Sequence, residues 1–346
     1  MARWHLTSSS KYDSSARELC ESASLRPSGS CSSGDCHVRA YAKRAVGSEN
    51  FVLLEDGGWA AMAGTMVFNE MTGAAALEAV CKLLDKHPLD EVRARLIGHY
   101  ALAVRKGDAI TVFTDEQGTL NLYYASLPDG YVISNSLQVP ARCAGRPEID
   151  RMGLLVHVFQ IETVGEDTFC PGVKRLFGSE AIHISIPDRK LNVRRLPQEM
   201  IPLSSGEVGS ASAAVDLFLP VVRDVFSRLS TFSSIGLNAT GGLDTRTILG
   251  ALLDRELRPV LLSGVGNSTI TNTKGRDSAL ARELADEFSL DFREMDWSGK
   301  QPHSDEALLR IFTRYGYLAA TYGASDSLLL ELEGSVPPNP ELRLGG

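Results

Sequence analysis

The sequence predicts two folded domains, an α+β domain built from antiparallel hairpins followed by an α/β domain built on a parallel sheet. The chain has 346 residues, which is enough for two domains of ordinary size. Short β-favouring runs separated by turn-forming residues fill residues 49–200, a pattern typical of hairpins. From residue 204 onward strand and helix patterns alternate, which indicates βαβ crossovers.

The composition is that of an ordinary globular protein. Hydrophobic residues make up 43% of the chain and charged residues 23%, which allows a packed core and excludes global disorder. A formal net charge of −8 gives no sign of a surface for nucleic acid or for an anionic membrane. No apolar run is long enough to span a bilayer, and none near the N-terminus resembles a secretory signal. With six scattered cysteines, we expect a cytoplasmic protein without nucleic-acid or membrane partners.

Residues 1–48 differ from the rest of the chain in composition. Ser occupies eleven of the first 33 positions, and prolines and glycines interrupt any periodic pattern. Because so little apolar surface is available to offset the entropy of ordering, we predict a flexible Ser-rich segment.

Residues 49–200 are predicted to form strands separated by turns such as Asp56-Gly57-Gly58 and Lys106-Gly107-Asp108. Helical patterns are predicted at 73–86 and 149–160. Several hairpins together with a few helices favour a layered α+β domain. The strands are predicted at 51–54, 62–68, 100–104, 109–113, 122–125, 131–134 and 181–186.

Residues 204–346 form the predicted α/β domain. In a parallel sheet of this kind, ligands bind at the carboxyl ends of the strands. Asp277 is expected to be the N-cap of a helix. The elements are predicted as a helix at 212–229, a strand at 235–239, a helix at 243–256, a strand at 259–263, a helix at 277–288 and a strand at 292–295.

The sharpest local pattern is Asn238-Ala239-Thr240-Gly241-Gly242-Leu243-Asp244-Thr245, between a predicted strand and a predicted helix. Gly241 and Gly242 let the backbone approach a ligand without a Cβ in the way. The helix directs its first N–H groups and the positive end of its dipole to the same place, and Thr240 and Thr245 add hydroxyl groups. These features predict an anion site, above all for phosphate. The alternative is a plain glycine turn between strand and helix.

Asp244 decides which anion fits this loop. Its carboxylate would repel a bare phosphate, so we predict that a divalent cation bridges the two. Mg²⁺ fits because it prefers a carboxylate plus phosphate oxygens to an all-protein cage. The pattern is neither the Walker motif, which needs Gly-Lys-Ser/Thr, nor the dinucleotide fingerprint with its three spaced glycines.

The octet resembles the pyrophosphatase loop, Ser-Gly-Gly-x-Asp-Ser, of ligases that release pyrophosphate from ATP, with Thr at positions 240 and 245. Asparagine synthetase, β-lactam synthetase and the lasso-peptide cyclases share that loop. Further strings in the first domain follow the order of the asparagine synthetase family, which the sequence resembles from about Phe51 to its last residue. They are Gly98–Val104, Phe113–Gly118, Leu122–Ala125, Thr168–Phe169 and Gly172–Ser179.

The resemblance implies a glutaminase-like (Ntn-type) domain over 49–200 and an ATP-pyrophosphatase domain of the adenine nucleotide alpha hydrolase type over 204–346. It implies a ligase that uses ATP and Mg²⁺ to adenylate a small-molecule or peptide carboxylate, after which an amine displaces AMP. Asp244 would hold the metal ion. The residues implied in nucleotide binding are Ala239, Thr240, Gly241, Gly242, Asp244, Thr245, Ser263, Gly264 and Gly345.

The first domain departs from the family at the nucleophile. The family's glutaminases begin with a Cys whose own α-amino group activates the thiol, whereas Ala2 follows Met1 here. The nearest match to the family's oxyanion string is Asn69-Glu70-Met71-Thr72, which keeps one Asn but lacks the Gly and the second Asn. We therefore expect a degenerate domain that does not hydrolyse glutamine. An active amidotransferase would require processing to expose Cys20, Cys31 or Cys36.

The second departure concerns the last residues, Pro340–Gly346. They resemble the strand and the opening glycines of a second family loop that supplies another metal-binding Asp, without its acidic residues. The resemblance therefore implies a chain truncated at its C-terminus, or half of a split enzyme whose missing region a partner protein supplies. The alternative function is a catalytically incomplete homologue that binds a nucleotide or a partner.

Overall fold

The chain divides into two compact units in its computed structural model. Unit 1 comprises Met1–Glu199 and Ser304–Leu329, and unit 2 comprises Met200–His303 and Leu330–Gly346. The structure describes residues 3–42, 49–145, 148–160, 165–197, 210–265, 273–296, 304–306, 309, 313 and 340–345.

Unit 1 is rich in strands. Its helices are α1 (Ser10–Ser22), α2 (Gly73–Leu84), α3 (Leu89–Arg93), α4 (Gln138–Cys143) and α5 (Arg151–Gln160). Its strands are β1 (Arg3–Thr7), β2 (Pro27–Ser33), β3 (Cys36–Tyr41), β4 (Phe51–Leu53), β5 (Trp59–Phe68), β6 (Leu96–Lys106), β7 (Ala109–Thr114), β8 (Leu122–Leu127), β9 (Gly130–Ser134), β10 (Lys174–Leu176), β11 (Glu180–Ser185) and β12 (Lys190–Arg195).

These strands form two antiparallel sheets of six strands each. Sheet A has the order β10-β8-β9-β1-β3-β2, and sheet B has the order β12-β11-β7-β6-β5-β4. The strands predicted in residues 49–200 are all present, because their alternating or continuous apolar runs face a core on one or both sides. The predicted α+β class of this domain is confirmed.

The two sheets pack face to face over one hydrophobic core. Trp4 and Leu6 of sheet A and Trp59 of sheet B are among its fully buried members. On the outer face of sheet B, α2 buries Leu77 and Val80 against the strands. On the outer face of sheet A, α1 and α4 pack over β3 and β9. Unit 1 therefore contains the layers helix, sheet, sheet and helix.

The prediction of a flexible segment over residues 1–48 is wrong for the part that the structure describes, residues 3–42. This part contains β1, α1, β2 and β3, and β1 lies in the middle of sheet A between β9 and β3. All five residues of β1 are buried. Two patterns for ordered structure are present within this Ser-rich composition. Ser9 is the N-cap of α1. Cys36, Val38 and Ala40 alternate along β3, and their side chains lie in the core.

Unit 2 alternates helices and strands, as predicted. Its elements are α6 (Ala211–Ser227), a 3₁₀ turn (Arg228–Thr231), β13 (Ile235–Asn238), α7 (Leu243–Asp254), β14 (Val260–Val265), α8 (Thr273–Glu287), β15 (Phe292–Asp296) and β16 (Leu342–Leu344).

The four strands of unit 2 form a parallel sheet in the order β15-β14-β13-β16. The α/β character of this unit is thus confirmed, and Leu342–Leu344 forms a strand beside the one that precedes the glycine loop. A helical pattern noted at 325–332 lies outside the described residues. Within the described ranges, no helix has the length and apolar character needed to cross a bilayer.

Candidate functional site

The glycine loop occupies the point where the strand order of the unit 2 sheet reverses. The chain runs from β13 to β14 and then β15 on one side, whereas β16 lies on the other side of β13. Ala239 follows β13 directly, and its N–H donates to the carbonyl of Leu262 at 2.7 Å. The loop therefore begins at the carboxyl end of β13, where the connections on the two sides of this strand diverge. Open α/β sheets bind their ligands in the crevice at such a point.

Two threonine hydroxyl groups hold the shape of this loop. Thr245 Oγ1 lies 3.1 Å from Thr240 Oγ1, 2.9 Å from the carbonyl oxygen of Thr240 and 3.2 Å from that of Gly242. Thr245 is buried, whereas Thr240 is exposed. The sequence predicted both hydroxyls as ligand donors. The structure assigns the Thr245 hydroxyl to the loop itself and leaves Thr240 at the surface.

The start of α7 provides N–H groups that lack capping side chains. Gly242 is the N-cap residue, and no side chain accepts a hydrogen bond there in the usual capping manner. Its own N–H lies 3.3 Å from Thr240 Oγ1. The following N–H groups of the first helical turn have no partner within the helix, which is the arrangement that favours an anion.

Gly241 is in direct contact with α8. Its N–H donates to Asp277 Oδ1 at 3.1 Å, and a Cβ at position 241 would lie 2.7 Å from Leu280 Cδ1. A larger residue here would therefore force the side chains of Leu280 and Asp277 to move. Asp277 is not the N-cap that the sequence predicted, because α8 begins at Thr273, so Asp277 lies in its second turn.

Asp244 lies in the first turn of α7 with its side chain exposed. Among the described residues, none forms a hydrogen bond or ion pair with its carboxylate. Within the same part of the chain, no three His, Cys, Asp or Glu side chains come together as a metal cluster. A cation bound here would take its other ligands from phosphate oxygens and water, which is the coordination that Mg²⁺ prefers.

The remaining predicted residues lie on neighbouring strands. Ser263, which is buried, and Gly264 lie inside β14 rather than in a loop after it, because β14 extends to Val265. Gly345 directly follows β16, and a Cβ there would lie 3.3 Å from Asn238 Nδ2. Asn238 Oδ1 in turn accepts a hydrogen bond from Arg343 Nε at 2.7 Å. The structure therefore gathers the loop and Gly345 at the carboxyl end of β13, with Ser263 and Gly264 on the adjacent strand.

The sequence favoured Asp277 as a helix N-cap over a ligand, and its contact with the glycine loop was not predicted. The hydrogen bond between Gly241 and Asp277 joins residues 36 positions apart in the chain, and no local sequence pattern predicts a contact over that distance. The signal that was available is the acidic residue itself near the start of the helix that follows β14, the neighbour of β13.

A second group of titratable side chains lies in unit 1 and was also missed. His5 Nε2 lies 3.2 Å from Asp13 Oδ1, and Arg39 Nε donates to the same oxygen at 2.8 Å. Burial alone would raise the pKa of Asp13, but the hydrogen bonds from His5 and Arg39 hold it well below its usual range. Burial opposes the charged imidazole of His5, yet hydrogen bonds with Asp13 and Cys20 raise its pKa overall. Because all but Arg39 are buried, this group joins α1 to β1 and β3 rather than facing a substrate.

The cysteines considered as hidden nucleophiles belong to ordered elements. Cys20 is buried in α1, Cys31 lies in β2, and Cys36 is buried in β3. Cleavage before any of them would remove β1 from the middle of sheet A. The absence of glutaminase activity stays a prediction.

Comparisons with known proteins give only distant likenesses. No protein-family model matches the chain, and no curated protein matches it in sequence. The solved structure of glutamine phosphoribosylpyrophosphate amidotransferase from B. subtilis, complexed with ADP and GMP, has 9% identity and a TM-score of 0.38 over 85% of this chain. A structure described as the allosteric regulatory enzyme of purine biosynthesis has 9% identity and a TM-score of 0.39, covering 87% of this chain and 81% of that one.

The chain spans 65% of the length of the B. subtilis enzyme. At this level of likeness the comparison identifies neither a family nor an activity. The proposals below therefore rest on the residues of this chain alone.

Proposed function

We propose that the loop at 239–245 binds the diphosphate of ATP, and that unit 2 is the nucleotide-binding part of an ATP-dependent, amide-forming ligase of the asparagine synthetase type. The observation that carries this proposal is the position of the loop, at the reversal of strand order in a parallel sheet and at the N-terminus of α7. An exposed carboxylate at Asp244 fits a metal ligand in that place, although the dipole of α7 alone would also favour an acidic residue in its first turn.

Each residue of the loop has a role in this proposal. The N–H groups at the start of α7 would receive the phosphate oxygens, and Asp244 would hold Mg²⁺, which would offset the negative charge of the diphosphate. Thr245 keeps the loop in shape through its bonds to the Thr240 and Gly242 carbonyls. Ser263 and Gly264, on the strand beside β13, would lie along the nucleotide, and Gly345 keeps the crevice beside Asn238 open.

In the first step, an oxygen of the substrate carboxylate would bond to the α-phosphorus of ATP as the bond from that phosphorus to the diphosphate breaks. In the second step, an amine would displace AMP and form the amide. The chain's own part is positioning and charge stabilisation at the leaving diphosphate. We further propose that unit 1 is a degenerate glutaminase-like domain of the Ntn type. Support for this comes from its two stacked antiparallel sheets between helices.

Calorimetry of ATP with magnesium tests the proposal, using the full chain, Asp244→Asn and Asp216→Asn. Asp216 is an exposed carboxylate on α6, so its variant controls for the loss of one negative charge. We expect the wild type and Asp216→Asn to bind and Asp244→Asn to bind at least about tenfold more weakly, the loss of one charge-assisted contact. A wild-type chain that binds no nucleotide would refute the proposal.

A second assay separates the ligase from the alternative function. Pyrophosphate release is measured with mixtures of carboxylic acids and amines, alone and in the presence of cell extract that supplies a partner. Release that depends on Asp244 supports the ligase. Nucleotide binding without release under every condition supports the catalytically incomplete homologue.

A further inference from the structure

The contact between Gly241 and Asp277 has a consequence for the proposed nucleotide site. An N–H group has one hydrogen, and that of Gly241 is directed at a carboxylate oxygen 3.1 Å away. A carboxylate is the side-chain group that most resembles a phosphate oxygen as an acceptor. The loop therefore already holds an internal anion at one of the N–H groups that would receive the diphosphate.

The backbone of α8 is fixed beside the loop, so only the side chain of Asp277 is free to leave. Ser278 donates to Glu294 on β15, and the Arg282 guanidinium lies 4.5 Å from the centre of the Phe292 ring. Ser278 is itself buried. These contacts hold the turn that carries Asp277 against the sheet, and the carboxylate can leave Gly241 only by rotation about its own side-chain bonds.

On the basis of the proposed function, we infer that Asp277 is an internal competitor that occupies the loop until a metal-bound diphosphate displaces it. Two carboxylates, Asp244 and Asp277, then flank the same loop. They repel a free phosphate or pyrophosphate, whereas a magnesium complex carries the positive charge that offsets them. Asp277 therefore determines specificity: the loop discriminates against anions that arrive without their cation.

The test compares the wild type with Asp277→Asn, which keeps an oxygen acceptor for Gly241 but removes the charge. Glu283→Gln is the matched control, because Glu283 is exposed on the same helix. Binding of pyrophosphate and of ATP is measured by calorimetry, each with and without magnesium. Asp277→Ser, which is shorter and also neutral, provides a second variant if the first does not fold.

We expect Asp277→Asn to bind magnesium-free pyrophosphate about tenfold more tightly than the wild type does. For magnesium pyrophosphate, we expect the variant to show a smaller gain in affinity. Glu283→Gln is expected to stay within about twofold of the wild type, as a remote charge would. The inference is also supported if the wild type binds magnesium-ATP but no measurable magnesium-free pyrophosphate, and Asp277→Asn binds both.

Three results would overturn it. If the wild type binds magnesium-ATP and Asp277→Asn binds pyrophosphate no more tightly, the inference fails while the proposed function stands. If Glu283→Gln gives the same gain in affinity for pyrophosphate, the gain comes from the lower net charge of the protein rather than from the loop, and the inference fails. If neither the wild type nor any Asp277 variant binds nucleotide or pyrophosphate, the proposed function fails and the inference with it.

Discussion

The buried hydroxyl of Thr245 lies 2.9 Å from the carbonyl oxygen of Thr240, across the loop that joins β13 to α7. This single side chain ties the first turn of the helix back to the end of the strand. The loop therefore keeps its conformation without a ligand, and the N–H groups at the start of α7 are already directed outward. A preformed site of this kind loses less entropy when it binds an anion.

Thr245→Val should destabilise unit 2 by about 1–3 kcal/mol, because it removes the hydroxyl that donates to the carbonyl groups of Thr240 and Gly242. Urea unfolding measures the change. Thr245→Ser keeps the hydroxyl and should recover most of the loss. Thr247→Val, at an exposed position two residues further on, is the control; an equal loss in that variant would show that the effect does not come from the loop.

Gly241→Ala should destabilise unit 2 by about 1–3 kcal/mol through overpacking. The added Cβ would lie 2.7 Å from Leu280 Cδ1 and 2.9 Å from Asp277 Oδ1. Gly250→Ala is a matched control on α7, since nothing lies within 4 Å of a Cβ at that position. That variant should be more stable than the wild type by about 0.5–1 kcal/mol, as for glycine replaced in a helix. Thermal unfolding that shows the same sign for both variants would contradict the close contact.

Trp4→Ala should destabilise unit 1 by about 3–5 kcal/mol, the usual effect of emptying a large buried site. Trp4 is fully buried in the core, and its Nε1 donates to the carbonyl of Ala101 at 3.0 Å. Denaturant unfolding followed by far-ultraviolet circular dichroism measures the change, with Ser14→Ala as an exposed control in the same segment. If Trp4→Ala is as stable as the wild type, the N-terminal strand does not belong to the sheet.

The buried pair of His5 and Asp13 predicts a pH window for the stability of unit 1. The pKa of His5 is raised above 6.5, so its contribution is complete below that pH and is lost as the pH rises through the folded-state pKa. The pKa of Asp13 is lowered from 3.8, so its contribution is complete above that pH and is lost on acidification. The pair therefore stabilises the fold most between these two values.

Urea midpoints measured from about pH 4 to pH 9 test this window. The wild type should lose stability above neutrality by up to about 1.4 kcal/mol for each unit by which the pKa of His5 is raised. His5→Gln should be less stable at pH 5 but flatter across the alkaline range. Parallel curves for the two proteins would exclude a raised histidine pKa.

The sequence predicted the elements whose apolar residues repeat regularly, and it failed where composition and pattern disagreed. Val38 and Ala40 alternate correctly for a strand, but the surrounding serines outweighed them in the prediction. The start of α8 was also misjudged: the helix was predicted from residue 277 with Asp277 as its N-cap, whereas it begins at Thr273. The loop residues followed from glycine and helix chemistry, which are local. Asp277 did not, since its role depends on a tertiary contact.

The position of β1 sets the order in which unit 1 is completed during synthesis. His5 pairs with Ser134, so β1 waits for a neighbour that is synthesised more than a hundred residues later. Its other neighbour, β3, pairs with it directly and is synthesised much sooner, after α1 and β2. Such distant pairing slows folding. A nascent chain halted before β9 would therefore expose the apolar side chains of Trp4 and Leu6, which chaperones that recognise apolar segments could bind.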